Sequence, residues 1–291
     1  MKTITFFSEK GGVGKSSFSI MYASWLHKQG IKVAVADFNN RITFYRNAEI
    51  SERQKLIKAN PDAGIEPFRL EDTWPIINAY RSEIEPYRQE GIQLPHAAWF
   101  RDEIRKGRLQ NYDIVLCDFP GSLSGKEFTD LLAMRLLNLI VIPTEKDRMT
   151  LNSTFSLANI LQKNERNYCC FINKAQLNFR HFRDKYIILG QGLAKKGIPM
   201  LPDMVTYSER MMTIDKVDII RSTFGYPDFD KEEYEKMTDL GIGNLFIDVT
   251  RELAKTEDIK DTPKADLDFI KSLEKKANDK SFKGSSFPEY E

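Results

Sequence analysis

Thr3-Ile4-Thr5-Phe6-Phe7-Ser8-Glu9-Lys10-Gly11-Gly12-Val13-Gly14-Lys15-Ser16-Ser17 is the stretch that decides how this chain folds. Thr3–Phe7 is a short β-rich run, and beyond the glycines Phe18, Met21, Tyr22, Trp25 and Leu26 recur at helical spacing. A glycine loop between a strand and a helix is the setting that phosphate binding requires. Glycines let the backbone curl so that successive N–H groups face inward, and the helix start behind them adds a dipole that favours an anion. Gly11, Gly12, Val13, Gly14, Lys15, Ser16 and Ser17 are therefore expected to hold a nucleotide's phosphates. In such a loop Lys15 reaches the β- and γ-phosphates and the Ser16 hydroxyl ligates Mg²⁺. The bland alternative is a glycine turn followed by an ordinary lysine. A Gly-Lys-Ser run placed between strand and helix argues against it.

Outward from this loop, Gly30 stands where a helix C-cap glycine belongs, and Ile31–Ala36 reads as a second buried strand. Further strands are expected at Tyr112–Cys117, Asn138–Pro143, Tyr168–Ile172 and Ile198–Leu201, with helices near Lys126–Leu137, Leu151–Lys163 and Phe179–Lys196. The alternation predicts an α/β fold, a mostly parallel twisted sheet flanked by helices on both faces, with its ligand at the C-terminal strand ends. Residues 49–111 break the rhythm. They lean helical, are punctuated by Pro61, Pro67, Pro75, Pro86 and Pro95, and read as an elaboration within one domain over 1–255. Residues 256–291 read as a charged helix and a flexible tail, in which Leu267, Ile270 and Leu273 form a thin apolar stripe. That stripe suits a helix packed on its own domain better than a membrane-surface helix, because the opposite face is not basic enough.

Composition narrows the class. The chain has 291 residues, 41% hydrophobic and 29% charged, which is a soluble globular balance with ample core. Lys+Arg 43 against Asp+Glu 42 leaves +1, so attraction to nucleic acid or membrane has to come from a local patch. Three cysteines, with Cys169 and Cys170 adjacent, form neither a disulfide framework nor a CxxC metal pair, and a reducing cytoplasm is expected. The first residues do not resemble a signal peptide, and the longest apolar stretch, Leu131–Pro143, is interrupted by Arg135 and too short to span a bilayer. His27, His96 and His181 are scattered, without zinc-ligand spacing.

The loop departs from GxxxxGK[ST], since Glu9 stands at the first glycine position and a second lysine, Lys10, precedes the glycine pair. This KGGVGKS form resembles the deviant Walker A loop of the ParA/MinD family of P-loop ATPases, the partition and cell-division positioning proteins. The resemblance implies ATP and Mg²⁺ as cofactors and a nucleotide-sandwich homodimer in which Lys10 reaches the partner's phosphates. It continues along most of the chain. Val33–Asn39 is similar to the family's second motif, a strand ending in Asp-x-Asp, which assigns Asp37 and Asn39 to the catalytic set. Ile114–Gly121 looks like the Walker B strand, with Asp118 in the magnesium shell. Phe171-Ile172-Asn173-Lys174 resembles the strand end whose asparagine reads the adenine edge. Ile198–Pro202, followed by Ser208-Glu209, resembles the stretch that closes over the base. Beyond about residue 225 the resemblance fades.

One position breaks the pattern. Asn39 replaces the second acid, which in the family positions the attacking water. A carboxylate accepts a proton and orients water, whereas an amide only orients it. Slow hydrolysis is expected. Related kinases carry a tyrosine-rich tail, where this chain has only Tyr290, and iron–sulfur carriers need bridging cysteines, where Cys117, Cys169 and Cys170 read as core. Arg180, Arg183, Lys185, Lys195 and Lys196, with Asp184 the only acid among them, form a candidate patch for nonspecific DNA, against the plain alternative of a solvated helix face. With nine residues before Lys10, no operator-reading helix-turn-helix is expected there. The expectation is a cytoplasmic ParA-like ATPase that positions DNA with a DNA-bound adaptor protein. A non-hydrolysing switch that recruits a protein partner is the alternative, and MinD-like positioning at a membrane the more remote one.

Overall fold

A computed structural model describes residues 1–64, 73–78, 84–86, 89–90, 95–121, 128, 132, 135–175, 180–206 and 242–258. All of them lie in one compact unit, Met1–Ile259. Among the described residues, seven strands form one sheet: β1 (Lys2–Phe6), β2 (Val33–Asp37), β3 (Ile76–Asn78), β4 (Ile114–Asp118), β5 (Leu139–Thr144), β6 (Tyr168–Ala175) and β7 (Met200–Thr206). Their order is β3-β2-β4-β1-β5-β6-β7, and every pairing is parallel. The described helices are α1 (Lys15–Lys28), α2 (Arg41–Ala59), α3 (Pro95–Arg105), α4 (Arg148–Lys163), α5 (Arg180–Lys195) and α6 (Ile242–Ala254).

Strands buried on both faces need near-continuous apolar sequence, and β2, β4 and β5 are buried at every position. One face packs on α1 and α6. Ile4, Phe6, Val35, Leu116, Val141 and Phe171 join Phe18, Tyr22, Leu26, Phe246 and Val249 in a single core. Phe18 meets Phe171 edge-on at 5.0 Å between ring centres, and the Tyr22 hydroxyl lies 2.8 Å from Thr250 Oγ1. Successive strand residues point to opposite faces. Ile172, next to Phe171, accordingly packs with Tyr186 of α5 on the other side.

One expectation needs correcting. Residues 49–111 are not purely helix-leaning, since Ile76–Asn78 adds an edge strand to β2 with Val35 opposite Ile76. Three partly buried residues carry too little apolar signal to reveal a strand. Arg251 lies inside α6, whose Leu245, Phe246, Val249 and Leu253 belong to the core, and nearly all of the charged stretch 256–291 lies outside the described residues. Most of the predicted helix at Lys126–Leu137 lies outside the described residues, as do Ser208, Glu209, Leu267, Ile270, Leu273 and Tyr290. Cys117, Cys169 and Cys170 are buried free thiols whose burial pushes their pKa values above the ordinary range. No described helix is long and apolar enough to cross a membrane.

Candidate functional site

β1 runs between β4 and β5, which connect to opposite halves of the sheet, so the loop leaving β1 opens into a crevice at a topological switch point. Residues 9–14 form this loop. Gly12 (φ 76) and Gly14 (φ 86) are left-handed, a conformation that side chains with a Cβ resist. Gly14 is also the N-cap of α1, which has no side-chain cap and no acid in its first turn. The early N–H groups of α1 and its dipole are left for an outside anion.

Lys15 is buried, and its Nζ donates 2.8 Å to Lys10 O across the loop. Burial lowers its pKa, and the Asp118 charge works against that shift. A Cβ on Gly121 would stand 3.1 Å from Lys15 Nζ, so the glycine after Walker B leaves that ammonium its space. Ser16 Oγ donates 2.9 Å to Asp118 Oδ2, joining the first turn of α1 to the end of β4. Asp118 is fully buried, and its Oδ1 has no hydrogen-bond partner. Burial and the neighbouring Asp37 charge push its pKa up to about 7, against the Ser16 and Asn39 donors and Lys15. A buried, half-satisfied carboxylate beside a serine hydroxyl offers hard oxygen donors of the kind Mg²⁺ takes. Among the described residues no cluster of three His, Cys, Asp or Glu side chains could hold a metal unaided, so phosphate and water oxygens would complete the shell.

The two residues of the Asp-x-Asp-like motif part company. Asp37 lies opposite Asp118 in the β2–β4 register. Its Oδ2 accepts from Thr43 N and Thr43 Oγ1, each at 2.7 Å, and its Oδ1 accepts from Asn39 N at 3.1 Å. Asp37 thereby caps α2, whose own N-cap Asn40 supplies no side-chain bond. Asn39 Nδ2 instead lies 3.4 Å from Asp118 Oδ2, on the Ser16 side of the crevice.

Lys10 is folded onto its own chain. Its Nζ donates to Asp147 Oδ2 (2.8 Å) and Thr150 Oγ1 (2.7 Å) and stands 3.5 Å from Glu145 Oε2. Asp147 is also the N-cap of α4, accepting from Thr150 N at 3.0 Å. The Asp147 bond raises the Lys10 pKa. Burial opposes the Asp147 charge, yet the Lys10 and Thr150 donors hold its pKa below the ordinary value. None of these partners was visible in the sequence, because no pattern links Lys10 to residues 135 or more positions away.

The remaining expected contacts are dispersed. Asn173 is buried and donates through Nδ2 to Val13 O at 3.1 Å, so its amide meets the loop. Pro202 lies within edge strand β7, four residues or about 13 Å before the strand end. Arg183, Lys185, Lys195 and Lys196 are exposed. Arg183 and Lys195 are about 18 Å apart along α5, and Lys196 Nζ sits 4.6 Å from the Phe155 ring centre. The side chain of Arg180 lies outside the described residues.

The family model of the CobQ/CobB/MinD/ParA nucleotide binding domain matches residues 4–267, past the point near 225 where the motif resemblance fades. Among solved structures, the chain is similar to the MinD cell division protein of Aquifex aeolicus, with 14% identity, 89% of this chain and 99% of that one covered, and a TM-score of 0.56. It is also similar to pNOB8 ParA, with 16% identity, 87% and 98% coverage and a TM-score of 0.53. A third is a putative plasmid partition protein of Borrelia burgdorferi bound to AMPPNP, with 21% identity, 77% and 97% coverage and a TM-score of 0.52. At these identities the likeness establishes the fold. No curated protein sequence matches the chain.

Proposed function

The chain belongs to the CobQ/CobB/MinD/ParA nucleotide-binding family, and from that premise we propose that it is a ParA-like ATPase that dimerises around ATP and positions DNA. The cargo on this reading is a plasmid or other mobile element, engaged through a DNA-bound adaptor protein in the cytoplasm. The observation that carries it is the loop itself: two lysines, Lys10 and Lys15, flank the glycines, and Ser16 is bonded to Asp118 in the crevice. Lys15 and the N–H groups around Gly14 neutralise phosphate charge that grows in the transition state. Ser16 and Asp118 would hold Mg²⁺, which supplies positive charge to the phosphoryl oxygens. To join a partner's site, Lys10 must leave Asp147, Thr150 and Glu145, so assembly exchanges an intrachain ion pair for a contact between chains.

Sedimentation with a slowly hydrolysed ATP analogue tests this. The natural protein should pass from monomer to dimer. Lys10→Ala should stay monomeric while keeping nucleotide affinity within about tenfold, because the phosphate contact it removes is the one across the dimer, the others of Lys10 being to Glu145, Asp147 and Thr150 of its own chain. A Lys10→Ala protein that dimerises normally removes the sandwich assignment.

A second reading is supported by Asn39. Its amide faces Asp118, and Asp37 is occupied by Thr43, so neither presents a free carboxylate to an attacking water. On this reading the protein is a slow switch whose ATP-bound form recruits its partner and persists.

A further inference from the structure

We propose that Asn173 and Lys174 form a brace that sets the direction of the phosphate-binding amides, with Lys174 a positioning residue of the nucleotide site. The inference rests on the nucleotide-binding reading above. Two consecutive residues at the end of β6 hold two consecutive carbonyls of the loop: Asn173 Nδ2 donates to Val13 O and Lys174 Nζ to Gly12 O, both at 3.1 Å. A trans peptide is planar, with its C=O and N–H on opposite sides, and no described peptide is cis. Holding the Gly12 and Val13 carbonyls toward β6 therefore turns the Val13 and Gly14 N–H groups the other way, into the crevice where Lys15 and Asp118 sit. Without the brace, those two peptides between left-handed Gly12 and Gly14 are free to flip, since glycine tolerates either orientation.

The brace is itself built. Lys174 is held at φ 55, a left-handed conformation that is uncommon for a residue with a Cβ. Its N–H donates 2.9 Å to Asn173 Oδ1, which orients the asparagine amide with Nδ2 toward the loop. Its ammonium pairs with Glu145 Oε1 at 2.7 Å, while Glu145 Oε2 faces Lys10. Glu145 thus joins the fixed lysine of the brace to the lysine that must move. When Lys10 departs, Lys174 still neutralises Glu145, and the loop keeps its shape as the dimer forms.

The left-handed conformation supplies a decisive variant. Lys174→Gly removes the side chain but relieves the backbone, so the nucleotide-free protein should melt no lower than the natural one. Titration calorimetry with ADP and with base-free tripolyphosphate should then show both ligands weakened by about tenfold or more, the scale of one charge-assisted hydrogen bond. Lys174→Arg, which keeps a cationic donor, should restore most of the affinity. In the nucleotide-free protein, amide exchange at Val13 and Gly14 should accelerate in Lys174→Gly. Tripolyphosphate affinity and amide exchange unchanged by Lys174→Gly would overturn the brace. An ADP loss with tripolyphosphate unaffected would also overturn it, returning this strand end to base recognition. A natural protein that binds neither ligand would instead refute the nucleotide-binding reading, and the exchange measurement would still judge the brace.

Discussion

Replacing Asp118 by asparagine should stabilise the nucleotide-free protein progressively as the pH rises. Asp118 is fully buried beside Asp37, and its pKa is pushed from the ordinary 3.8 up to about 7. Between those values the folded state holds a proton that the unfolded chain has lost, so this site makes stability fall as pH rises and the loss is complete above pH 7. From pH 5 to pH 8 the loss is on the order of 2–3 kcal/mol. Asparagine keeps an oxygen for Ser16 and Asn39 and does not titrate. Its amide at the Oδ1 position lacks a partner and costs roughly 1–3 kcal/mol, but that penalty is the same at both pH values and drops out of the comparison. Denaturation of both proteins at pH 5 and pH 8, without nucleotide or Mg²⁺, should therefore show the difference in stability moving by roughly 2–3 kcal/mol toward the variant. In melting temperature this is about 5–10 °C for a domain of this size. A difference that is the same at both pH values would refute the claim that Asp118 is held as a costly, half-satisfied acid.

Two further outcomes are expected. Asn39→Asp should raise single-turnover ATP hydrolysis by about tenfold or more, the scale of acid–base assistance, and equal rates would mean another residue aligns the water. Replacing Lys195 and Lys196 by glutamate should weaken ATP-dependent binding to any duplex alike and flatten its salt dependence, and an unaffected double variant assigns these lysines to the solvated helix face.

The sequence announces what depends on local pattern. The glycine loop, the buried strands and the helix behind the loop each leave a periodic or compositional trace, and Lys15, Ser16 and Asp118 are neighbours in the fold. What it conceals is side-chain direction at strand ends. Asp37 and Asn39, two apart on an extended chain, are expected to share a side, yet one caps α2 and the other turns to Asp118. The chain leaves β2 at Asp37 and reaches a left-handed Asn40, so strict alternation no longer applies. Asn173 resembles the family's strand-end asparagine, and its bond to Val13 comes from the meeting of β6 with the loop, which no sequence pattern shows. The partners of Lys10 come from the β5–α4 turn, and only the tertiary fold brings them near.

The position of β1 at the centre of the sheet governs how the protein comes into being. Lys2–Ile4 pairs with Ile114–Leu116, and Ile4–Phe6 with Leu139–Val141, so β1 has neither sheet neighbour until more than a hundred further residues have been made. Closing such distant pairings costs chain entropy before any contact repays it, which makes them slow. The glycine loop is thus made well before the strands that frame it and takes shape only after them. A nascent or truncated chain ending before β5 carries every residue of the glycine loop but lacks Glu145, Asn173 and Lys174, which hold Lys10 and the loop carbonyls.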